Sequence, residues 1–282
     1  LAEAFVSLGV RKLRITGGEP LLRKGLPELI ERLSKIGGVD DLALTTNGIL
    51  LVEYAEALRK AGLHRLTVSL DSMDENVVET MNGQYMDPRK VLVGIDAAVE
   101  AGFESVKINS VVQRGMNDHT LVDLARTFRH TPHILRFIEY MDVGNRNGWK
   151  LDEVVSAREI VEMIGAEYPL KALDKQYASE VASRYAYEDG AGEIGFISSV
   201  TNTFCGDCSR ARISADGQLY TCLFSGDGID LKSLLADGAT DDQVRQFLSD
   251  VWSRRTDRYS EQRASMTDFQ KHQHKVEMYQ IG

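Results

Sequence analysis

Lys12-Leu13-Arg14-Ile15-Thr16 runs straight into Gly17-Gly18-Glu19-Pro20, a short strand-forming stretch closed by glycines and a proline. Helical spacing follows at once, with Leu26, Leu29, Ile30 and Leu33 on one face of a 3.6-residue period. The alternation then repeats. Residues 42–46, 66–70, 106–112 and 134–138 read as further strands, and Leu121, Leu124, Ala125 and Phe128 mark another amphipathic helix. Ala61-Gly62 and Ala101-Gly102 put a glycine where each helix should end before the next strand. Successive β-α units imply a parallel sheet with right-handed crossovers.

A doubly wound open sheet and a β/α barrel both satisfy that pattern. The turns after the strands favour the second, because Thr16-Gly17-Gly18-Glu19-Pro20, Asn47-Gly48 and Asp71-Ser72 gather polar residues at strand C-termini, as an active-site face of a barrel does. Fewer than eight units are present, so the expected fold is α/β, an incomplete (β/α) barrel. The turn-rich segment 142–148 marks a boundary. The expected division is therefore 1–144 for the partial barrel and 145–282 for a second region, with one clear helix near residues 156–164.

The chain has 282 residues, 43% of them hydrophobic and 27% charged, enough to bury a sizeable core and too apolar for disorder throughout. A net charge of −9 disfavours a broad electropositive face for polymeric nucleic acid. No run approaches the roughly 18 to 20 apolar residues that span a bilayer, and the start lacks the layout of a signal peptide, so no membrane partner and a cytoplasmic location are expected. Because the first residue is Leu1 and residues 2–8 read as the rear half of a helix entering a strand, the natural N-terminus is expected upstream. Three cysteines cannot close a disulfide framework, which suits a reducing compartment.

All three cysteines lie in one segment: Cys205-Gly206-Asp207-Cys208, then 13 residues, then Cys222. Thiolates at C-x2-C spacing can clasp a soft metal centre, and the third can return from the far arm of a hairpin turning at Asp216-Gly217. The metal is open, since structural zinc takes a fourth ligand and an iron-sulfur cluster usually takes four thiolates. One coordination position is either filled from elsewhere or left for substrate. His272 and His274 lack recognisable zinc spacing and read as surface residues. Arg210 and Arg212, two positions apart on an expected strand, would present both guanidiniums on one face, suited to a phosphate chain. There is no P-loop and no Gly-x-Gly-x-x-Gly after the first strand, so phosphate must be held by side chains.

These pieces together resemble one family. Thr16 to Pro20, Thr45-Thr46-Asn47-Gly48 and Ser69-Leu70-Asp71 resemble the S-adenosylmethionine-binding motifs of radical S-adenosylmethionine enzymes. Within that superfamily, Arg136-Phe137-Ile138-Glu139-Tyr140-Met141-Asp142-Val143-Gly144, the C-x2-C-x-R-x-R run from Cys205 and the later Cys222 are similar to the GTP 3′,8-cyclase family, which opens molybdenum cofactor biosynthesis by converting GTP into 3′,8-cyclo-7,8-dihydroguanosine 5′-triphosphate. The likeness runs essentially from end to end.

The resemblance implies two 4Fe-4S clusters in the complete enzyme. One, on an N-terminal C-x3-C-x2-C loop, reduces S-adenosylmethionine to the radical that takes hydrogen from C3′ of GTP. The other, on Cys205, Cys208 and Cys222, leaves one iron free for the guanine. Gly18, Ser69 and Met141 match S-adenosylmethionine contacts; Arg14, Thr45, Lys107 and the strip Arg210, Ala211, Arg212 match GTP contacts. Implied partners are GTP, an electron donor and the downstream cyclic pyranopterin monophosphate synthase, with a homodimer left open. The C-x3-C-x2-C loop would lie upstream of Leu1, which would leave the chain as written inactive. Family members end in paired glycines where this chain ends Ile281-Gly282, so both ends are expected to be clipped. The rival readings are a peptide-modifying radical enzyme, which normally needs more cysteines, and a non-catalytic nucleotide-binding protein stapled by zinc.

Overall fold

A computed structural model describes residues 1–177, 180–263 and 275–281. Its frame is an eight-stranded sheet. The strands are β1 (Lys12–Ile15), β2 (Asp41–Thr46), β3 (Arg65–Ser69), β4 (Val106–Val112), β5 (Ile134–Glu139), β6 (Leu170–Leu173), β7 (Ser183–Tyr187) and β8 (Glu193–Ile197), in the spatial order 1-2-3-4-5-8-7-6. β1 to β5 and β8 are parallel, and β7 and β6 complete the sheet antiparallel. β1 and β6 are the edges, so the barrel is not closed by hydrogen bonds. The first five strands fall where the sequence puts them. The sheet also runs on past the loop at 142–148, since β8 pairs beside β5 with Leu135 opposite Ile194.

Local chemistry sets the helix ends. α2 (Leu26–Ser34) carries Pro27 in its first turn; α4 (Glu75–Asn82) and α5 (Pro88–Glu100) begin at Asp74 and Asp87, whose carboxylates accept from Asn76 and Arg89 N–H. α7 (Ala157–Glu167) opens on a capping box between Ser156 and Glu159. α3 (Leu51–Lys60) and α5 stop before Gly62 and Gly102, both at positive φ. α6 (Leu121–Phe128) turns Leu121, Leu124, Ala125 and Phe128 inward.

The period-2 alternation of the strands decides where the site lies. Leu42 and Leu44, Leu66 and Val68, Val106 and Ile108, Leu135 and Phe137, and Ile194 and Phe196 are buried under the helices in one core. Alternate positions must face the concave side, and there the sequence is largely polar: Arg14, Thr45, Arg65, Thr67, Ser69, Lys107, Asn109 and Arg136, with Ala43, Val111, Ile134 and Ile138 in the same set. A barrel filled for stability alone packs that face with bulky branched residues.

After α7 and the last sheet strands, a three-stranded unit follows: β9 (Arg212–Ile213), β10 (Gln218–Tyr220) and β11 (Ile229–Asp230). Its own small core joins Leu219, Leu231, Val244 and Leu248, with Phe5 of the first helix packed against it. No helix among the described residues is long and apolar enough to cross a membrane.

Candidate active site

The cations of the concave face converge. In a flat sheet Arg14 on β1 and Arg136 on β5 would stand four strands apart, roughly 19 Å, yet the Arg136 guanidinium, pushed down to about 10 chiefly by burial, also feels Arg14 and Arg65. Burial and then Arg136, Arg65 and Arg14 push the Lys107 ammonium down to about 8. Burial and Arg210 lower Arg212, which also feels Arg14. The sheet therefore curls around a lumen with the cysteine hairpin at one side. Arg65 is neutralised by Asp41, with Nε to Oδ1 at 2.7 Å. Among the described residues Arg14, Lys107, Arg136 and Arg212 have no carboxylate at ion-pair distance.

Three buried polar atoms of the same face have no hydrogen-bond partner: Thr45 Oγ1, Asn109 Oδ1 and Arg136 Nε. An orphaned polar atom costs about 1–3 kcal/mol, and uncompensated buried cations cost more. An anion with hydroxyl and amide groups to offer would relieve both. Arg65, Asn109 and Arg136 are lumen residues that the sequence reading left out; their signal is the alternation itself, since each is a polar residue at the position alternate to a buried apolar one, Leu66, Ile108 and Phe137.

At the C-terminal edge the loops after β1 and β2 are buckled together by Glu19. Its Oε1 accepts from Leu21 N–H at 2.9 Å and from Thr46 Oγ1 at 2.7 Å, and its Oε2 from Asn47 N–H at 2.8 Å. That ties the loop of Gly17 and Gly18 to the end of β2. A side chain at Gly18 would find its nearest neighbour in the Tyr279 carbonyl at 4.0 Å, so the helical turn Met278–Ile281 overlies this loop. Ser69 ends β3, exposed and in register with Asn109. Asp71 is pushed up to about 6 by burial, while Val111 N–H donates to it.

Met141, half-buried, follows β5. Its neighbour Asp142 is buried; burial works against ionisation, but Tyr259 Oη at 2.5 Å, Arg263 at 2.7 Å and Lys275 Nζ at 3.0 Å keep its pKa low. Glu139, fully buried at the end of β5, accepts from Ala157, Val200 and Thr201 N–H, each at 2.8 Å, and from Thr201 Oγ1. It ties α7 and the loop after β8 to the site.

The hairpin turns at Asp216-Gly217 as the sequence predicts, with Gly217 N–H donating to Ser214 C=O at 3.0 Å. Its first strand is shorter than expected and begins only at Arg212. Arg210 therefore does not share a strand face with Arg212: it folds back, its Nε and Nη2 3.4 and 3.3 Å from Cys208 Sγ and its guanidinium over the Phe204 ring. The reason is local, since a cation beside a thiolate and an aromatic face outweighs two more ladder positions. Ala211 is exposed between them.

Cys205, Cys208 and Cys222 are free and half-buried. Burial raises the Cys222 thiol, and Cys205 stands close enough to raise it further. At Cys208 burial is overcome by Arg210 and Arg255, which hold the thiol down to about 7. Among the described residues no three of His, Cys, Asp and Glu converge on a single point as ligands of one metal ion do. Cys205 stands close enough to act on Cys222, and Arg212 feels both Cys208 and Cys222, so the thiols of the two hairpin arms face one region and make a soft donor set that suits an iron-sulfur centre as well as zinc. His272 and His274 lie outside the described residues.

Residues 1–128 match the Radical SAM superfamily, and residues 133–261 match Molybdenum Cofactor Synthesis C. A protein of Xanthomonas axonopodis pv. citri named GTP 3′,8-cyclase is 55% identical over the whole chain, which covers 83% of that protein. Relatives of the same name in Acidothermus cellulolyticus and Staphylococcus saprophyticus are 48% and 43% identical, covering 95% and 100% of this chain and 75% and 83% of their own lengths. The chain belongs to the GTP 3′,8-cyclase family. Membership makes it a radical S-adenosylmethionine protein with a largely parallel α/β sheet. The boundary between the two matched regions falls at the loop before β5, inside the sheet that β5 and β8 continue.

Proposed function

We propose that this chain carries the GTP site of a GTP 3′,8-cyclase in molybdenum cofactor biosynthesis. The supporting observation is the lumen: Arg14, Lys107, Arg136 and Arg212, without carboxylate partners among the described residues, beside the orphaned Thr45 Oγ1 and Asn109 Oδ1. Arg14, Lys107 and Arg212, with Arg210 and the exposed backbone at Ala211, hold the triphosphate; Thr45 meets the nucleoside. Gly18, Ser69 and Met141, at the ends of the first, third and fifth strands, line the edge that takes S-adenosylmethionine. Cys205, Cys208 and Cys222 hold a 4Fe-4S cluster, with a second cluster in the full-length enzyme.

When bound, S-adenosylmethionine supplies hydrogen abstraction and the cluster supplies an iron with a free position for the guanine. The chain's own work is geometric and electrostatic. The cations fix the anionic end of the substrate against the strands, the Glu19 buckle fixes the loop edge, and the curled sheet keeps bulk water from the reacting ribose. Residues 1–144 supply the first five strands of the sheet, and 145–282 supply its last three strands and the cysteine hairpin. The reading also includes an electron donor, cyclic pyranopterin monophosphate synthase as consumer of the product and a cytoplasmic location. Anaerobically reconstituted protein should contain iron and labile sulfide and should bind GTP far better than guanosine. Zinc without sulfide, or equal binding of the two, would overturn the assignment.

A further inference from the structure

The cysteines sit where the hairpin's own ladder does not reach. β9 and β10 pair only through Arg212 with Tyr220 and Ile213 with Leu219, close to the turn. Cys205 and Cys208 lie before the paired residues and Cys222 after them, so nothing in the ladder sets the distance between the two arms at the thiols. Something else must.

The segment after α9 (Asp241–Ser253) runs back along both arms. The Arg255 guanidinium donates to the Cys208 carbonyl and, through Nε, to Asp257 Oδ2 at 3.2 Å. The same Oδ2 accepts from Thr221 Oγ1 at 2.5 Å, and Thr221 precedes Cys222. One unbroken chain of contacts therefore joins the arms, from Cys208 through Arg255 and Asp257 to Thr221. Further along, Glu261 Oε1 accepts from Gly206 N–H at 3.0 Å, next to Cys205. Trp252 lies under the Arg255 guanidinium at 4.8 Å, and the Arg255 side chain is 12% exposed. Each cysteine thus has one neighbouring contact to this connector.

We propose that Arg255, Asp257 and Glu261 form a clamp that sets the spacing of the three cluster ligands, with Asp257 as the joint between the arms and as a fixed negative charge that tunes the cluster. None of the three touches a reacting atom; they are positioning residues. Groups of this kind behind metal ligands are typically worth 10- to 100-fold in metal retention. A carboxylate near an iron-sulfur cluster opposes the arrival of an electron, so its neutralisation raises the reduction potential. The inference rests on reading the cysteines as cluster ligands.

Asp257→Asn keeps an acceptor for Thr221 and loses the charge; Asp257→Ala loses both. On anaerobically reconstituted protein we expect Asp257→Asn to retain its iron with a higher midpoint potential and an altered electron paramagnetic resonance spectrum. Asp257→Ala should give up iron to a chelator about 10- to 100-fold faster than wild type. If the alanine protein fails to fold, the asparagine potential decides. Wild-type protein that binds no cluster would sink both this inference and the reading beneath it. Loaded wild type with an unchanged potential in Asp257→Asn and unchanged chelation in Asp257→Ala would overturn the clamp alone.

Discussion

Arg14 on the first strand and Lys107 on the fourth face one lumen, and Arg14 is among the guanidiniums that, after burial, bring the Lys107 ammonium down to about 8. The native state thus holds the Lys107 proton less firmly than the unfolded chain. This penalty is fully present below about pH 8 and is relieved as pH rises toward the ordinary lysine value of 10.5. A bound triphosphate reverses the sign, because an anion restores the charged form. GTP binding near pH 8 should therefore take up a fraction of a proton, and affinity should fall as pH rises beyond 8. Calorimetry in buffers of different ionisation enthalpy reads the uptake directly, and Lys107→Gln should abolish it.

Arg212 is lowered by burial and by Arg210, and no carboxylate pairs with it among the described residues. Its cost is relieved only when an anion arrives. Losing a charged hydrogen bond costs about 1.5–3 kcal/mol, or roughly 10- to 150-fold in affinity. Arg212→Ala should weaken GTP by that much without loss of iron, while guanosine binds wild type poorly. Equal Kd values for GTP and guanosine would refute the phosphate clamp.

Cys222 alone comes from the far arm of the hairpin. Its removal leaves two thiolates, Cys205 and Cys208, three positions apart on one arm, too few for a stable cluster. Cys222→Ala should lose the oxygen-sensitive 4Fe-4S absorption and most of its iron. An unchanged iron and sulfide content in that variant would contradict the ligand assignment.

The parts of the fold legible in the sequence are those governed by local period. Leu42 and Leu44, or Val106 and Ile108, announce their strands because every second residue must be apolar to meet the helices. The same period also places Arg65 and Thr67, Lys107 and Asn109, and Arg136 at the positions alternate to the buried apolar ones, so a largely polar concave face was readable from these strands. What could not be read is whatever depends on residues far apart in sequence. Nothing local places Asp257 between Arg255 and Thr221, or the Tyr279 carbonyl over Gly18. Arg210 is the local exception: the Cys208 sulfur that draws it off the strand stands only two positions away.

Glu139 carries the strongest stability expectation. It is fully buried, and its two oxygens accept three backbone N–H groups and one hydroxyl from α7 and the loop after β8. Ala157 is the first residue of α7, so the carboxylate also faces the positive end of that helix. In Glu139→Gln the amide NH2 must face either Val200 and Thr201 N–H or the side holding Ala157 N–H. The Thr201 hydroxyl can turn to accept, so the second orientation is preferred and strands one donor. That variant should lose about 2–3 kcal/mol. Glu139→Ala strands all three backbone donors and should lose more, about 4 kcal/mol or above. Urea denaturation with an unchanged m value should rank wild type over glutamine over alanine. A glutamine variant within about 0.5 kcal/mol of wild type, the scatter of ordinary surface substitutions, would show that the carboxylate does not hold this junction.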